Sequence, residues 1–390
     1  MILCLLVFLV FVSITVYILQ VIALKRKMRE NYNRVNLPPI SIIKPLKGLD
    51  DNLFDNLESF CKQDYPDYEV ILSIEDINDP ACRVAEKIRN KYPSLVKIII
   101  DNTSKALNPK VKNMIAAYRE SKYEYFLISD SNVFVDKDYL RKTLSAMDEN
   151  TGLVTNLIVG VGGKSIGAKL ENLQLNSFVM LSTCFLEKFL RMPCSIGKSM
   201  LMRKSNFEEI GGFNAVGNVL AEDYILGKLM HERGKRVVLS NYTIKNVNEF
   251  WSLRRFLNRH SRWAKIRWKI AGWKYFLEPI NNPLFLASFV PLIYGFTRFS
   301  MILFLITCLY KVILDVYVAK LVRFKIGFSF LLIPIKDLMM GVLWFVPLFS
   351  NKVMWRGNVY TIGKDTVLFE QRRTWSIKSI YFKFRESLTS

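Results

Sequence analysis

Four short motifs in this 390-residue chain contain side chains that could do chemistry. Three carry an acidic residue after an apolar run or at the start of a polar turn: Asp76 in IED, Asp130 in DSN and Asp223 in AEDY. The fourth, RHSRW, places Arg259 and Arg262 three residues apart, so on a helix both could bind the same phosphate group. Transfer of a group from a nucleotide diphosphate requires such a set, with cations for the leaving diphosphate and a base for the acceptor's proton.

Two of these carboxylates follow predicted β-strands. Short β-rich runs alternate with polar, helix-like stretches up to residue 156, a pattern typical of βαβ units and a mostly parallel sheet. The predicted strands are 40–43, 68–74, 95–100, 125–128 and 153–156, and the helices between them include 80–91 and 111–120. Ligands of such sheets bind beyond the carboxyl ends of the strands, where Asp76 and Asp130 fall.

Composition narrows the classes of partner. Fifty-five Lys and Arg against 34 Asp and Glu give a net charge of +21, while 51% of the residues are apolar. Basic surfaces usually bind nucleic acid or anionic lipid, and the long hydrophobic segments favour lipid. We therefore expect membrane lipids and no nucleic acid as partners. The six cysteines have no CxxC spacing, which predicts neither zinc nor disulfides.

The amino-terminal segment is predicted to cross a membrane. Residues 2–24 carry no charge and are long enough to span a hydrocarbon core of about 30 Å. Basic residues follow this run instead of preceding it, and no small-residue cleavage site ends it, which disfavours a cleaved signal peptide. By the positive-inside rule, these charges hold the following domain in the cytoplasm.

Three further apolar stretches, 283–296, 299–319 and 328–349, follow in the carboxyl-terminal third. Basic clusters after the second stretch and in the tail favour the cytoplasmic side, so we expect one of the three to be re-entrant or interfacial. The first is short for a span. The third contains the pair Lys336-Asp337, which should not face lipid tails. Labelling that placed Ser390 outside would contradict this topology.

Basic and aromatic residues interleave between the predicted catalytic and membrane regions, in residues 246–280. As a helix, this segment would lie in the interface plane, with cations toward phosphates and aromatic rings toward acyl chains. The chain is accordingly predicted to divide into 1–25 (transmembrane helix), 33–245 (catalytic domain), 246–280 (interfacial), 281–350 (transmembrane or re-entrant) and 351–390 (basic cytosolic tail).

The wording and order of the motifs closely resemble the ceramide glucosyltransferase family, whose signature is three aspartates followed by (R/Q)xxRW. The resemblance covers most of the chain and includes KPLKG at 44–48, NPKVKN at 108–113, CSIGKSMLMRK at 194–204 and WRG at 355–357. It implies an α/β, GT-A-type glycosyltransferase domain with transmembrane and interfacial helices. The implied reaction is inverting transfer of a hexose, with glucose expected, from a UDP-sugar to the primary hydroxyl of ceramide.

The resemblance also implies a role for individual residues. Asp223 would be the general base, a contribution of roughly 10²- to 10⁴-fold. Asp130 would bind Mg²⁺ or Mn²⁺, although Asn132 stands where a full DxD would have a second carboxylate, which leaves fewer protein ligands. The nucleotide-sugar would be bound by Asp76, Lys47, Lys110, Asn113, Arg259, Arg262 and Trp263. Taken singly, an aspartate before a helical stretch is more often a helix cap.

Three alternatives stay open. The chain could transfer another UDP-sugar, such as UDP-N-acetylglucosamine, to a different lipid such as a hopanoid. It could be a polysaccharide synthase, although such enzymes usually carry more spans to form a channel. It could also be an inactive membrane adaptor that keeps the fold. The intact acidic motifs argue against an adaptor, and absence of UDP binding would support one.

Overall fold

The structure is a computed structural model that describes residues 1–32, 36–355 and 358–370. Its strands are β1 Ile40–Leu46, β2 Tyr68–Ile74, β3 Val96–Ile100, β4 Tyr125–Ile128, β5 Val133–Phe134, β6 Thr151–Val161, β7 Met200–Arg203, β8 Arg236–Val247, β9 Lys352–Trp355, β10 Asn358–Ile362 and β11 Leu368–Glu370. Outside the described ranges lie residues 33–35 at the predicted start of the catalytic domain, the last two residues of WRG, and residues 371–390 of the predicted tail with Ser390.

The helices alternate with the strands in the first half of the chain and dominate the second. They are α1 Ile2–Lys27, α2 Leu53–Cys61, α3 Ala81–Lys91, α4 Pro109–Arg119, α5 Tyr139–Ser145, α6 Ile166–Gln174, α7 Met180–Leu190, α8 Lys204–Glu209, α9 Glu222–Glu232, α10 Leu253–Ala271, α11 Pro283–Tyr294, α12 Arg298–Leu321, α13 Ile333–Leu343 and α14 Val346–Phe349. A π-helical turn, Leu175–Val179, joins α6 to α7.

Eight strands form one mixed sheet in the order β3-β2-β1-β4-β7-β6-β8-β5. The first four strands of that order pair in parallel, as the βαβ pattern predicts. The sheet as a whole is mixed because the short strand β7 enters antiparallel between β4 and β6. The α/β prediction is confirmed, with the carboxyl ends of the parallel strands β1, β2 and β4 on one edge.

The central strands are apolar on both faces because helices cover both sides of the sheet. Successive residues of β1 show this. Ile42 packs in a cluster with Phe60 of α2 and other residues of that face, whereas Ile43 packs with Met114 of α4 and Leu226 of α9. Helices α4 and α9, which carry the motifs NPKVKN and AEDY, are therefore held on the same face of the sheet.

Helix α10 carries the RHSRW motif. The Ser252 side chain caps its first turn by accepting a hydrogen bond from the Arg255 backbone N–H at 3.1 Å. The helix ends at Gly272, where φ of +57° favours glycine. A 3₁₀ stretch then leads to α11, which is bent by 79° from the preceding helical segment. Residues of this 3₁₀ stretch, such as Trp273 and Phe276, are exposed.

Three helical segments of the described chain are long and apolar enough to cross a membrane: Ile2–Lys27, Arg298–Leu321 and Gly327–Phe349. The bent pair that ends with α11 would make a fourth. The described chain thus has three candidate spans, or four if the bent pair forms one span, and the shortest predicted apolar stretch lies at the bend.

Four charged side chains are buried together between the apolar helices. The Lys311 ammonium lies 2.6 Å from an Asp315 carboxylate oxygen and 3.2 Å from Asp337, and Lys336 lies 2.6 Å from Asp337. Tyr17 of α1 donates to Asp315. None of the four charged side chains is more than 6% exposed. The expectation that Lys336 and Asp337 avoid lipid tails is confirmed, because both face the protein interior.

Candidate active site

Asp130 lies just past the end of β4, with one ammonium group on each of its carboxylate oxygens. Lys110 Nζ is 2.8 Å from Oδ1 and Lys198 Nζ is 2.9 Å from Oδ2. Burial opposes ionisation, but the charges of the two lysines outweigh it and lower the pKa of Asp130 well below its usual range. Asp130 is therefore a carboxylate at neutral pH, held in a cationic setting.

Lys110 connects Asp130 to the motif that contains Asp223. It lies in the first turn of α4, whose capping residue Asn108 accepts from the Lys110 backbone N–H at 2.9 Å. Its ammonium lies 2.8 Å from Glu222 and donates to the Gly197 carbonyl at 3.1 Å. Burial acts to lower the pKa of Lys110, but Asp130 and the acidic pair at the start of α9 raise it. Lys110 is thus a buried, permanent cation.

Asp223 lies in the first turn of α9 and accepts two backbone hydrogen bonds. Gly197 N–H donates to Oδ2 at 2.8 Å and Tyr224 N–H donates to Oδ1 at 2.8 Å. Burial and then the negative charge of Glu222 raise the pKa of Asp223 to about 6, although Lys110 and the backbone donors oppose the rise. A carboxylate with this pKa is ionised at pH 7 and accepts a proton more readily than an ordinary aspartate.

The loop before β7 brings the two acidic residues together. Gly197 binds Asp223, and the next residue, Lys198, reaches Asp130 and donates to Asn132 Oδ1 at 2.8 Å. A Cβ at Gly197 would lie 2.9 Å from Asp223 Oδ2, so the close approach requires glycine. Burial lowers the pKa of Lys198. The negative charge of Asp130 acts to raise it, but the net pKa lies below the ordinary value for lysine. The pair is ionised because the carboxylate with a lowered pKa lies in contact with the ammonium.

Lys44 of the KPLKG motif lies beneath this group and is fully buried. Its ammonium donates to the backbone carbonyl of Asp130 at 2.7 Å and lies 3.5 Å from the centre of the Phe60 ring. Burial lowers the pKa of Lys44. Lys44 fixes the backbone that carries Asp130 and does not itself reach the open side of the site.

Asp76 and Lys47, both predicted to bind the nucleotide, lie at the ends of neighbouring strands β2 and β1. Lys47 pairs with Glu75 at 3.1 Å, and Lys112 of α4 pairs with the other oxygen of Glu75 at 2.8 Å. Asp76 Oδ1 accepts from the Asn78 backbone N–H at 2.9 Å. The two predicted residues share an edge of the sheet with Asp130, but no direct contact joins them to it among the described residues.

Asn113 and Asp79 shape the same strand edge. Asn113 donates to the Leu46 carbonyl at 2.9 Å, while its own side-chain oxygen is buried without a partner in the described part of the chain. Asp79 accepts from Gly48 N–H at 2.9 Å and so holds the KPLKG loop in place. Gly48 has φ of +69°, which glycine tolerates.

Arg259 is held by two indole rings and a buried carboxylate. Its guanidinium carbon lies 4.4 Å from the centre of the Trp263 ring and 5.2 Å from that of Trp251. Glu171 of α6 is 3.4 Å from Arg259 Nε and 2.8 Å from His260 Nε2. Burial opposes ionisation of Glu171, but Arg259 and His260 lower its pKa to about 2. Burial is the main cause that lowers the pKa of Lys198, and the positive charge of Arg259 lowers it further.

Arg262 and the chain before Asp223 both contact the carboxyl-terminal strands. Arg262 lies 5.7 Å from the centre of the Trp355 ring of β9. Leu220 N–H donates to the Thr366 carbonyl at 2.9 Å, and Ala221 N–H donates to the Thr366 hydroxyl at 3.2 Å. The described part of the region predicted as a tail thus contains three strands, and Thr366, in the turn between β10 and β11, braces the segment leading to Asp223.

The structure therefore pairs Lys110 directly with Asp130 and connects Asp223 to this pair through Gly197, with Arg259 and Trp263 on helix α10. Sequence analysis missed five residues that complete this arrangement: Lys44, Glu171, Gly197, Lys198 and Glu222. Four of them stand in or beside quoted motifs: KPLKG, CSIGKSMLMRK and AEDY. Those motifs were the available signal, but they do not tell which side chains meet.

The donor atoms at Asp130 and Asn132 fit a cation. Both are side-chain oxygens, the type that Mg²⁺ and Mn²⁺ prefer, and they already accept from one cation, the Lys198 ammonium. Within the described ranges, no three His, Cys, Asp or Glu side chains converge to hold a metal. A divalent ion would therefore depend on phosphate oxygens of a bound nucleotide for much of its coordination.

A mixed sheet with carboxylates at the ends of its parallel strands is the fold of GT-A glycosyltransferases. The mannosyltransferase PcManGT from Pyrobaculum calidifontis, solved in complex with GDP-Man and Mn²⁺, shares this fold, with a TM-score of 0.52 over 88% of this chain and 99% of its own, at 14% identity. The chain belongs to glycosyl transferase family 21, whose profile matches residues 5–368.

Named relatives are similar over most of the chain. Ceramide glucosyltransferase 3 of Caenorhabditis elegans is 30% identical over 277 residues, covering 68% of this chain and 59% of the relative. Ceramide glucosyltransferase of Komagataella phaffii is 26% identical over 309 residues, covering 64% of this chain and 60% of the relative. The chain thus spans about 60% of the length of these curated relatives.

Proposed function

We propose that the protein transfers a hexose, with glucose expected, from a UDP-sugar to ceramide with inversion at the sugar. The observation that carries the proposal is the Asp223 carboxylate, with its pKa raised to about 6, one loop away from a carboxylate flanked by two ammonium groups. A base beside a cationic site is what transfer from a diphosphate needs. The names of the relatives supply the sugar and the acceptor.

In the proposed reaction, Asp223 takes the proton of the acceptor's primary hydroxyl. The hydroxyl oxygen then bonds to the anomeric carbon as the bond from that carbon to the diphosphate oxygen breaks, and UDP leaves with the bonding electrons. Lys110 and Arg259 stabilise the charge that develops on the diphosphate. The nucleotide is proposed to bind at the carboxyl ends of β1 and β2, to Asp76, Lys47 and Asn113. The side chains of Arg262 and Trp263 are proposed to line the sugar-diphosphate site.

The cofactor proposed for this site is Mg²⁺ or Mn²⁺. When bound, the ion would add positive charge against the diphosphate. Asp130 and Asn132 are the side chains proposed to hold it, because their oxygens already accept from an ammonium group. The single carboxylate implies weak affinity for the ion in the absence of nucleotide.

The catalytic domain is proposed to lie on the cytoplasmic face of a membrane that the chain crosses more than once. Basic residues occupy the last turn of α1, and an exposed aromatic stretch with Trp273 and Phe276 follows α10. Ceramide is nearly insoluble in water, so an enzyme acting on it must meet the hydroxyl at the interface. The domain limits 1–25, 33–245, 246–280, 281–350 and 351–390 are proposed on this basis, and the side on which Ser390 is labelled tests the orientation.

Sugar transfer by membranes that contain the full chain tests the function. A panel of labelled UDP-sugars is offered with ceramide, a hopanoid or no added lipid, and the lipid-phase product is followed. UDP-glucose with ceramide is expected to give a labelled glycosylceramide. Product from a different sugar or lipid would move the assignment to that pair. No product with any pair and no binding of UDP would favour an inactive adaptor.

The pH dependence of the reaction is expected to report the pKa of Asp223. Because the base must be unprotonated, kcat/KM should fall as pH drops through about 6. Glu222→Gln removes the neighbouring negative charge, so it should lower the pKa of Asp223 and move this acid limb to lower pH. Profiles of the wild type and the variant measure this directly. An acid limb that stays in place or moves to higher pH would contradict the proposed coupling.

A further inference from the structure

Thr366 lies in the turn between β10 and β11 and binds the chain just before helix α9. Its side chain is fully buried, and its hydroxyl accepts a hydrogen bond from the Ala221 N–H at 3.2 Å. Its carbonyl accepts from the Leu220 N–H at 2.9 Å. Helix α9 begins at the next residue, Glu222, and Asp223 follows it. Thr366 therefore holds two consecutive N–H groups immediately before the residues that start this helix.

The start of α9 depends on support from another part of the chain. The residue before a helix usually caps it with a side-chain oxygen, but the methyl group of Ala221 cannot accept a hydrogen bond. Beyond the Thr366 contacts, Leu368 N–H donates to the Asn218 carbonyl at 2.8 Å, and Val219 forms an antiparallel bridge with Val367. The segment before α9 thus forms a short antiparallel pairing with β11 and the turn that precedes it.

The same segment contacts the cap of the helix that carries Lys110. Asn108 N–H donates to the Gly217 carbonyl at 2.9 Å, and the Asn108 side chain donates to the Val219 carbonyl at 2.8 Å. Asn108 also caps α4 by accepting from the Lys110 backbone N–H at 2.9 Å. Residues 217–221 therefore connect the carboxyl-terminal sheet to the helix that places Lys110 beside the acidic residues.

The three carboxyl-terminal strands also pack against helix α10, which carries RHSRW. Lys265 of α10 donates to the Lys352 carbonyl of β9 at 2.6 Å. Apolar side chains of the strands share one cluster with a residue beside, or one helical turn from, each of the motifs NPKVKN, AEDY and RHSRW. These residues are Leu107, Leu220 and Ile266. One small sheet thus contacts the three segments that carry the proposed catalytic and diphosphate-binding side chains.

The backbone of the turn shows why threonine at this position needs an explanation. Asp365 and Thr366 have φ of +50° and +62°. A positive φ is uncommon outside glycine, and for a β-branched residue it is an outlier. Such conformations persist where the surrounding structure fixes them, and they cluster at functional sites. Glycine would tolerate this φ, but it would leave the Ala221 N–H without its acceptor.

Resting on the proposed function, we propose that Thr366 is a positioning residue for the base Asp223. Asp223 must meet the acceptor hydroxyl at hydrogen-bond distance, and a displacement of about 1 Å can lower a rate by about 10²-fold. Loss of the Thr366 hydroxyl leaves the buried Ala221 N–H unpaired. The start of α9 should then shift to find another partner for this group. This shift moves Asp223 and leaves the carboxyl ends of β1 and β2, where the nucleotide is proposed to bind, in place.

The experiment measures kcat for sugar transfer and the Kd of UDP on the full chain in detergent. Thr366→Val and Thr366→Ala remove the hydroxyl, whereas Thr366→Ser keeps it. Removal should lower kcat about tenfold and leave the Kd of UDP within about twofold of the wild type. Thr366→Ser should retain most of the wild-type kcat. Thr307→Val is the matched control, because Thr307 is equally buried and donates to the Leu303 carbonyl of its own helix, α12.

Hydrogen exchange provides a readout that does not depend on activity. The amides of Leu220 and Ala221 should exchange faster in Thr366→Val and Thr366→Ala than in the wild type or Thr366→Ser. Unchanged exchange in both variants would overturn the inference, because the hydroxyl would not be what holds the start of α9.

A role in stability alone predicts that kcat per UDP-binding site is unchanged, or that kcat and UDP binding fall together. Either result, or loss of UDP binding in both variants that lack the hydroxyl, would overturn the inference and leave the proposed function in place. A wild type that binds UDP but forms no glycolipid would contradict the proposed function. Hydrolysis of the UDP-sugar then supplies the rate that the variants must lower. If the wild type transfers sugar to neither lipid nor water, both proposals fail.

Discussion

Asp223→Asn is expected to lower kcat for sugar transfer by roughly 10²- to 10⁴-fold while UDP binding stays close to that of the wild type. The substitution preserves size and leaves one side-chain oxygen to accept from the Gly197 N–H, which the carboxylate accepts at 2.8 Å. An amide cannot take the proton of the acceptor hydroxyl. Turnover of labelled UDP-sugar and calorimetric UDP binding, both on the same preparation, measure the two expectations.

A matched control for this prediction is Asp148→Asn. Asp148 precedes β6, at the opposite end of the strands from Asp130, and pairs with Arg236 at 2.7 Å. It therefore provides the same carboxylate group away from the donor site. This control should transfer sugar at nearly the wild-type rate. Residual activity of Asp223→Asn above about a tenth of the wild type would assign the base to another residue. Loss of UDP binding would instead make Asp223 a donor-binding residue.

The pH profile and this variant together separate two explanations of the raised pKa. Burial and Glu222 raise the pKa of Asp223, and a structural carboxylate in the same surroundings would show the same shift. Disappearance of the acid limb of kcat/KM in Asp223→Asn would assign the limb to Asp223. A base is then distinguished from a structural carboxylate by a large loss of kcat while UDP binding is retained.

Strand positions could be predicted from sequence where the signal is local. Runs such as 68–74 and 125–128 are rich in β-branched and aromatic residues and match β2 and β4 to the residue. The strand predicted at 153–156 lies within the first half of the longer β6. Strand β7 was not predicted, since the four residues MLMR are short and carry no β-branched residue. Its antiparallel entry makes the sheet mixed.

The candidate site could likewise be predicted only where its residues stand in local sequence motifs. Motifs placed Asp130 and Asp223 at element ends, but their connection runs through Gly197 and Lys198, in a loop distant in sequence from both. Such pairings depend on how β7 is inserted beside β4, which no local pattern specifies. Glu171, the partner of Arg259, lies on α6 and has no motif of its own.

Burial of Lys336 and Asp337 could be predicted because an unpaired charge in a hydrocarbon environment is costly. The residues that pair with them could not be predicted from the sequence. The structure pairs them with Lys311 and Asp315 of α12 and with Ser177 of the π-helical turn, which accepts from Lys336 at 2.9 Å. Four charges that sum to zero thus join helices α12 and α13 to the turn between α6 and α7.

Lys311→Met should destabilise the protein by about 3–5 kcal/mol, because it leaves two buried carboxylates to share one ammonium. Lys311 is 2% exposed and lies 2.6 Å from Asp315 and 3.2 Å from Asp337. Lys320→Met, on an exposed position of the same helix, is the control and should change stability little. Denaturant unfolding in detergent micelles measures both variants.

The double variant Lys311→Met, Asp315→Asn distinguishes loss of charge balance from loss of packing. It removes one charge of each sign, so the remaining pair of Lys336 and Asp337, 2.6 Å apart, stays neutral. If charge balance sets the cost, the double variant should be more stable than Lys311→Met alone. This is expected even though the carboxylate that accepts from the Tyr17 hydroxyl becomes a neutral amide. If the double variant is less stable than the single one, the cluster acts through the shape of its side chains and the argument from charge is wrong. If the double variant regains stability relative to Lys311→Met, these helices tolerate buried charged side chains only when the charges sum to zero.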